Sequence, residues 1–419
     1  MSESVLSRID WVSVLLYLFL VSFGLINIYS ATYVEGGTHL FTLSTPAGKQ
    51  LFFAVLSLIA GGLLLSLRVK FFEQFALPVY IGAIILLVGL FVFGKTISGA
   101  RSWYVFGGFG LQPAEYSKMA TALFLAKIIS QFQTNLKNVR SLIKIAGLIS
   151  LPALLIVIQP DPGSALVFGA FFFVLLREGL SYVFLVITSS ALVVFILTLL
   201  FEIPIVISLI IVFLSVLYYI LKRMKYKPAI LPFLLFGVLS SGFTFSVDFI
   251  FNEVFEQRHR DRFNIILGKE VDTQGIGYNI NQSKIAIGSG GFQGKGFLKG
   301  TQTKGDFVPE QHTDYIFSTI GEEWGFMGSF LVIGCFAALI IRILFQAEKQ
   351  TSQFRRVFSY SVASILFVHF LVNIGMSLGM IPTIGIPLLF ISYGGSSLLA
   401  TSMLFFIYLN MDANRLRDW

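Results

Sequence analysis

Apolar stretches of about 20 residues recur along this chain, the length a helix needs to cross a bilayer. In hydrocarbon the backbone N–H and C=O groups must find partners within the protein, which restricts spanning structure to helices or closed barrels. Twelve candidate helices lie at about 11–31, 50–67, 75–93, 112–129, 143–158, 163–176, 180–201, 204–221, 228–250, 317–345, 357–377 and 387–409. Composition agrees: 56% of the 419 residues are apolar and only 12% charged, half the roughly 25% of an ordinary soluble domain. The expected fold is an all-α polytopic membrane protein with one long loop. A net charge of +8 would raise nucleic acid as a partner in a soluble chain. Here the basic residues form short clusters between apolar runs, so no nucleic acid is expected. The single cysteine, Cys335, lies inside such a run, which excludes a disulfide framework and a Cys-based metal site.

The loops give the orientation. With the N-terminus inside, 18 Lys and Arg fall on the cytoplasmic side and four (Lys49, Lys95, Arg101, Lys118) in the short outer loops, a strong positive-inside bias. The remaining eight lie in the long loop, about 251–316, which that rule does not count. Both termini are therefore expected in the cytoplasm and the long loop outside. The chain divides into helices over 1–250, the loop over 251–316 and three helices over 317–419. The first apolar run resembles a signal peptide only superficially, because no small-residue cleavage site follows and eleven further spans do. No internal repeat suggests a transporter of inverted halves.

Polar residues concentrate at three places on the outer side. Gln112-Pro113-Ala114-Glu115-Tyr116-Ser117-Lys118 follows Gly99-Ala100-Arg101, and Glu115 and Lys118 are three apart where a helix starts, so they can pair. That reads either as a helix-end ion pair or as charges facing a cavity that binds an anionic head group. Gln159-Pro160-Asp161-Pro162-Gly163-Ser164 places an Asp in a Pro-punctuated turn between two short spans, which suits a helix N-cap as well as an intramembrane functional acid. The long loop ends with Asp306, Glu310, His312 and Asp314, followed by Glu322 and Glu323. A desolvated carboxylate at a cavity mouth can accept a proton in glycosyl or acyl transfer; a solvated charged loop is the plainer reading. No second histidine stands at metal-ligand spacing. Two look-alikes fail: Gly288–Gly296 lacks P-loop spacing, and Ser392-Tyr393-Gly394-Gly395 has Phe390 where a nucleophile elbow needs glycine.

At these stretches the chain resembles the shape, elongation, division and sporulation family of bacterial cell-wall proteins. The resemblance rests on Gly99-Ala100-Arg101, Gln112-Pro113-x-Glu115, Gln159-Pro160-Asp161, Asn281–Gly291, Pro309-Glu310-x-His312-Thr313-Asp314 and Ile391–Ser397, in the family's order over most of the chain. Gly294-Lys295-Gly296-x-x-x-Gly300-Thr301-Gln302 and Ile384 favour the elongation branch over the division branch. The resemblance implies a peptidoglycan glycosyltransferase of the bacterial cytoplasmic (inner) membrane. It would polymerise lipid II, a disaccharide-pentapeptide on undecaprenyl pyrophosphate, into β-1,4 glycan on the outer face. A class B penicillin-binding protein is the implied partner, with other elongation-complex proteins as further candidates. Asp314 matches the family's proposed catalytic aspartate. Arg101, Glu115, Lys118, Asp161, Glu310, His312 and Ser392 fall in its motifs as expected substrate-binding residues. The chain departs from the family in its twelve spans against ten, with an extra hairpin within 180–227, and in Pro162, Leu388 and Asp306 where Leu, Pro and Glu are usual.

The chemistry that follows is an inverting displacement. Asp314 takes the proton of the acceptor 4-hydroxyl as it attacks the anomeric carbon, and Lys118 and Arg101 stabilise the leaving pyrophosphate. A divalent cation such as Mg2+ would suit that diphosphate, although the spacing does not demand one. A lipid II flippase and a non-catalytic scaffold are the competing readings, and dependence on Asp314 separates them from a transferase.

Overall fold

The structure, a computed structural model, describes residues 7–33, 42–97, 99–131, 136–224, 226, 228–255, 257–269 and 277–415. Lys225, Lys227 and Arg417, counted above on the basic side, lie outside the described residues, as do both chain ends. The chain forms two compact units, Met1–Gly179 with Asn279–Trp419, and Leu180–Tyr278. These limits differ from the expected divisions after 250 and 316, because hydropathy marks where a chain leaves hydrocarbon whereas packing marks which helices belong together.

In the larger unit the helices are α1 (Trp11–Ala31), α2 (Pro46–Ser66), α3 (Val69–Phe93), α4 (Pro113–Gln131) and α5 (Val139–Ile158). After Asp161 come α6 (Pro162–Leu166), a 3-10 turn and α7 (Phe171–Arg177). The smaller unit holds α8 (Tyr182–Leu200), α9 (Ile203–Arg223), α10 (Ile230–Phe249) and α11 (Gln257–Ile266). Then follow α12 (Tyr278–Ser289), α13 (Thr301–Lys304), α14 (Ile316–Glu348), α15 (Gln353–Ser377) and α16 (Gly395–Ala413). All twelve expected stretches contain helix, and among the described residues nine helices are long and apolar enough to cross a membrane. Within the smaller unit α8 and α9 form a hairpin turned at Phe201-Glu202, and Val194, Val206 and Ile210 pack between them.

Several ends are written in the sequence. Thr45 caps α2 by accepting the Gly48 N–H at 3.1 Å, with Pro46 in the first turn. Asp161 caps α6 in the same way through the Ser164 N–H, at 3.1 Å. Between α3 and α4 lies a small antiparallel sheet, β1 (Lys95–Ile97), β2 (Ala100–Phe106) and β3 (Phe109–Leu111), which the all-helical expectation lacks. Gly107 and Gly108, both at positive φ, form the two-residue turn that closes its second hairpin.

Two departures from regular helix set up the rest. The first is inside α14, where Gly325 (φ 63°, ψ −157°) breaks the hydrogen-bond ladder. The glycine-rich run that failed as a phosphate loop repairs it. Lys295 and Gly296 donate their N–H groups to the carbonyls of Glu322 and Glu323, both at 3.0 Å. Beyond the break, Phe326 and Met327 donate to the carbonyls of Gly291 and Phe292 at 2.9 and 3.2 Å. Backbones this close exclude a side chain: a Cβ on Gly294 would stand 2.2 Å from the Glu323 carbonyl oxygen.

The second is the irregular segment 380–394 between α15 and α16, which holds no regular structure through Gly394. The span expected at 387–409 therefore begins as helix only at Gly395. The segment lies against α15, most of whose length is buried. On the opposite side Gly24 of α1 meets it so closely that a Cβ would lie 2.6 Å from the Ile391 Cα.

Candidate functional site

The segment 380–394 brings the three polar clusters to one place. Ile384 lies against Gly163, beside Asp161: a Cβ on that glycine would stand 2.6 Å from the Ile384 carbonyl oxygen. Gly385 faces the Asp314 carboxylate, whose Oδ2 would be 3.4 Å from a Cβ there. The N–H of Tyr393 donates to the His312 carbonyl at 2.8 Å, and the rings of those two residues lie 5.5 Å apart. The Tyr315 and Thr383 hydroxyls are 2.7 Å apart.

Asp314 is the residue whose surroundings are chemically unusual. It precedes α14 but does not cap it, since the cap position is Tyr315 and no side chain serves there. Among the described residues no side chain donates a hydrogen bond to its carboxylate. Loss of water first, and then the facing charges of Glu310 and Asp161, push its pKa up from the usual carboxylate range to about 7. Such a group can be ionised near neutrality and can take up a proton. His312 is half-buried, and burial pushes its pKa down despite Glu310 and Asp306. Glu310 is exposed at φ 55° and accepts the Thr313 hydroxyl at 2.9 Å.

Asp161 both caps α6 and bonds to Gln112 of the first polar cluster. One carboxylate oxygen takes the Ser164 N–H, and the other takes the Ser164 hydroxyl at 2.9 Å and the Gln112 amide at 3.2 Å. The cap and functional readings of this residue are therefore compatible. Glu115 and Lys118 do pair, at 2.8 Å, with side chains only 4% and 3% exposed. Ser397 donates to the second Glu115 oxygen at 3.1 Å, and the Lys118 ammonium also lies 2.9 Å from His369 Nε2.

Three expectations change. Arg101 donates to the Gly94 and Val92 carbonyls at 2.9 and 3.0 Å, so it satisfies the end of α3. Lys118 is enclosed between Glu115 and His369. Lys118 is therefore not a free cation for a diphosphate, whereas Arg101 is exposed and, bonded only to neutral carbonyls among the described residues, keeps its charge. Ser392 is buried, and its hydroxyl accepts the Leu388 N–H at 2.9 Å, closing a turn instead of facing substrate. Glu322, one of the six acid/base candidates, is fully buried; it accepts from Lys295, Thr303 and the backbone of 302–303 and holds the repair loop. Sequence reasoning missed His369, Asn373 and Ser397. The signal was available for the first two, a histidine and an asparagine four apart inside an apolar span.

Among the described residues no three His, Cys, Asp or Glu side chains group as a metal site. Magnesium needs only one or two carboxylates when substrate phosphates complete its shell; Glu310, exposed and with one oxygen that accepts no hydrogen bond among the described residues, could supply one, and the ion would neutralise diphosphate charge.

A family model described as cell cycle protein, covering FtsW, RodA and SpoVE, matches residues 10–416. The chain is 33% identical to the peptidoglycan glycosyltransferase RodA of Treponema pallidum, over 98% of this chain and 99% of that one. It is 34% identical to the peptidoglycan glycosyltransferase MrdB of Escherichia coli K12, over 83% of this chain and 80% of that one. Among solved structures it is similar to a chain of a peptidoglycan synthase complex studied for its coordination of polymerization and crosslinking. The TM-score there is 0.71 at 27% identity, covering 98% and 99% of the two chains.

Two stability outcomes follow from the site. Between the ordinary carboxyl value of 3.8 and about 7, folded Asp314 holds a proton that the unfolded chain has lost. Stability should therefore fall as pH rises through that window. Asp314→Asn removes this slope, and its advantage over the parent should grow from pH 4 to pH 8 to a few kcal/mol, on the order set by ~1.4 kcal/mol per pKa unit. Thermal melts across pH in detergent check it; parallel curves would contradict it. Removing one partner of a buried ion pair costs ~3–5 kcal/mol, so Lys118→Met should melt well below the parent. The double variant Glu115→Gln/Lys118→Met should recover part of the loss, and an unaffected Lys118→Met would refute the pairing.

Proposed function

The chain belongs to the FtsW/RodA/SpoVE family of cell cycle proteins and is a multi-pass membrane protein and a peptidoglycan glycosyltransferase, and on that basis we propose that it polymerises lipid II with Asp314 as general base. The observation that carries the assignment is the Asp314 environment: a carboxyl drawn up to about 7 by desolvation and by two acidic neighbours. In the proposed step the acceptor 4-hydroxyl attacks the donor's anomeric carbon and its proton passes to Asp314. The bond from that carbon to the diphosphate oxygen breaks, and undecaprenyl pyrophosphate leaves. One displacement inverts the α-linked donor to a β-1,4 product. Asp161 and Glu310 raise the basicity of Asp314 through their charge, and His312, held by Tyr393, fixes the loop that carries it. The similarity to RodA and MrdB supports a role in elongation. The likeness to a synthase complex supports a cross-linking partner, which we assign as a class B penicillin-binding protein.

Asp314→Asn keeps the shape of the side chain and removes the base. With purified full-length protein and lipid II, polymer should fall by ~10²–10⁴-fold, the usual worth of a general base. In the parent, turnover should rise with pH and level off above about 7, where Asp314 is ionised. Polymer from the Asn variant at parental levels would remove the base assignment. A flippase would instead move labelled lipid II across vesicles without making polymer.

The positive-inside bias supports cytoplasmic termini and an outer-face site in the cytoplasmic membrane. A tag inserted near Gly268 should be open to protease added outside intact spheroplasts, while one after Trp419 is protected. The reverse pattern would put the site on the wrong face for a wall polymerase.

A further inference from the structure

Among the described residues Asp314 receives no hydrogen bond at its carboxylate, yet a base must sit within reach of one particular proton. What fixes it acts on its backbone. Asn373, fully buried on α15, donates one amide hydrogen to the Asp314 carbonyl at 2.7 Å and the other to the Ile386 carbonyl at 2.8 Å. Both partners are acceptors, so the amide has only one orientation that satisfies them. One turn earlier on α15, His369 is 1% exposed and its Nδ1 lies 3.0 Å from the carbonyl of Pro387, the residue after Ile386.

The tautomer of His369 follows from its other neighbour. The Lys118 ammonium can only donate, so Nε2 accepts and Nδ1 carries the hydrogen that reaches Pro387. Lys118 is in turn fixed by Glu115, and Glu115 by Ser397. A row of donors and acceptors thus runs from α16 and α4 to α15 and ends on the Pro387 carbonyl, beside the Ile386 carbonyl that Asn373 holds separately. Gly385, the next residue back, faces the Asp314 carboxylate.

We propose that Asn373 and His369 are positioning residues for Asp314: from one face of α15 they clamp the Asp314 carbonyl and the Ile386-Pro387 backbone, and so set the distance between the carboxylate and the segment beside it. Glu115 and Lys118 then serve the reaction by holding the His369 tautomer, without touching substrate. The inference rests on Asp314 being the base.

The test measures initial polymerisation rates of the purified full-length protein over a range of lipid II concentrations. Asn373→Leu matches the shape but donates nothing, and should lower kcat by ~10–100-fold, since a misplacement of about 1 Å can cost ~10²-fold. KM should stay within about threefold of the parent, because Asn373 lies behind the backbone and away from substrate. His369→Leu should lower kcat in the same sense. His369→Gln keeps one donor and one acceptor and should return kcat to within about threefold of the parent. A parental kcat in Asn373→Leu, or a loss confined to KM, overturns the proposal. If Asn373→Leu does not fold, the histidine pair decides: equal kcat for His369→Leu and His369→Gln overturns it. Asp314→Asn is run beside them. If it is active, the base assignment falls and this inference with it. If it is inactive while Asn373→Leu keeps its kcat, only the positioning role is lost.

Discussion

An irregular backbone segment enclosed by helices must have its N–H and C=O groups met by something other than its own neighbours, and segment 380–394 is the element on which the site depends. Leaving one such group unmet in a buried place costs ~1–3 kcal/mol, so each donor aimed at it is strongly held. His369 and Asn373 supply donors from α15, while Ser392 accepts the Leu388 N–H. Gln50 of α2 donates to the Ser392 carbonyl and accepts the Gly394 N–H, at 3.2 and 3.1 Å. Because the segment is anchored to α2 and α15 and packs against Gly24 of α1 and Gly163 of α6, it fixes their spacing as well. The break in α14 is solved by the same logic, with the backbone of 291–296 in place of side chains.

Glu115 and Glu322 differ from Asp314 in what surrounds their carboxylates. Glu115 and Glu322 are buried but compensated, each by a lysine at 2.8 and 2.7 Å and by hydroxyl or backbone donors. These groups hold elements together and have no capacity left for chemistry. Among the described residues Asp314 has neither a cation nor a donor at its carboxylate, and it faces two further acids. An ionised carboxylate there works against the fold, and such an arrangement persists only where the rest of the structure holds it in place. That contrast, and not acidity as such, sets Asp314 apart from Glu115 and Glu322.

Much of the fold was legible because hydropathy reports helices directly, and the caps at Thr45 and Asp161 are local signals. The three polar clusters were legible as motifs, and they do converge. What was not legible is direction. Arg101 and Ser392 stand in motif strings beside the site, yet one turns back to the end of α3 and the other closes its own turn. No one-dimensional spacing distinguishes a side chain facing a cavity from one facing the backbone behind it. His369 and Asn373 went unread for a related reason: they sit in a span that hydropathy labels as filler, and their partners are carbonyls, which have no sequence signature. The Gly107-Gly108 turn was a missed local cue, hidden by the assumption that only helix would follow helix.

The same comparison explains why the glycine-rich run and Asp314 belong to one design. A continuous α14 would satisfy its own backbone and leave nothing for residues 291–296 to bind. The break at Gly325 frees the carbonyls of Glu322 and Glu323, and the loop that meets them is tied by Thr303 to Glu322 and by Gln311 to the Thr303 carbonyl at 3.0 Å. Gln311 lies three residues before Asp314 and also donates to the Ala31 carbonyl at the end of α1, at 3.0 Å. The approach of the chain to Asp314 is thus braced on one side by a repaired helix and on the other by the α15 clamp. A carboxylate that gains nothing from its own hydrogen bonds is held in place by the bonds of the backbone that carries it.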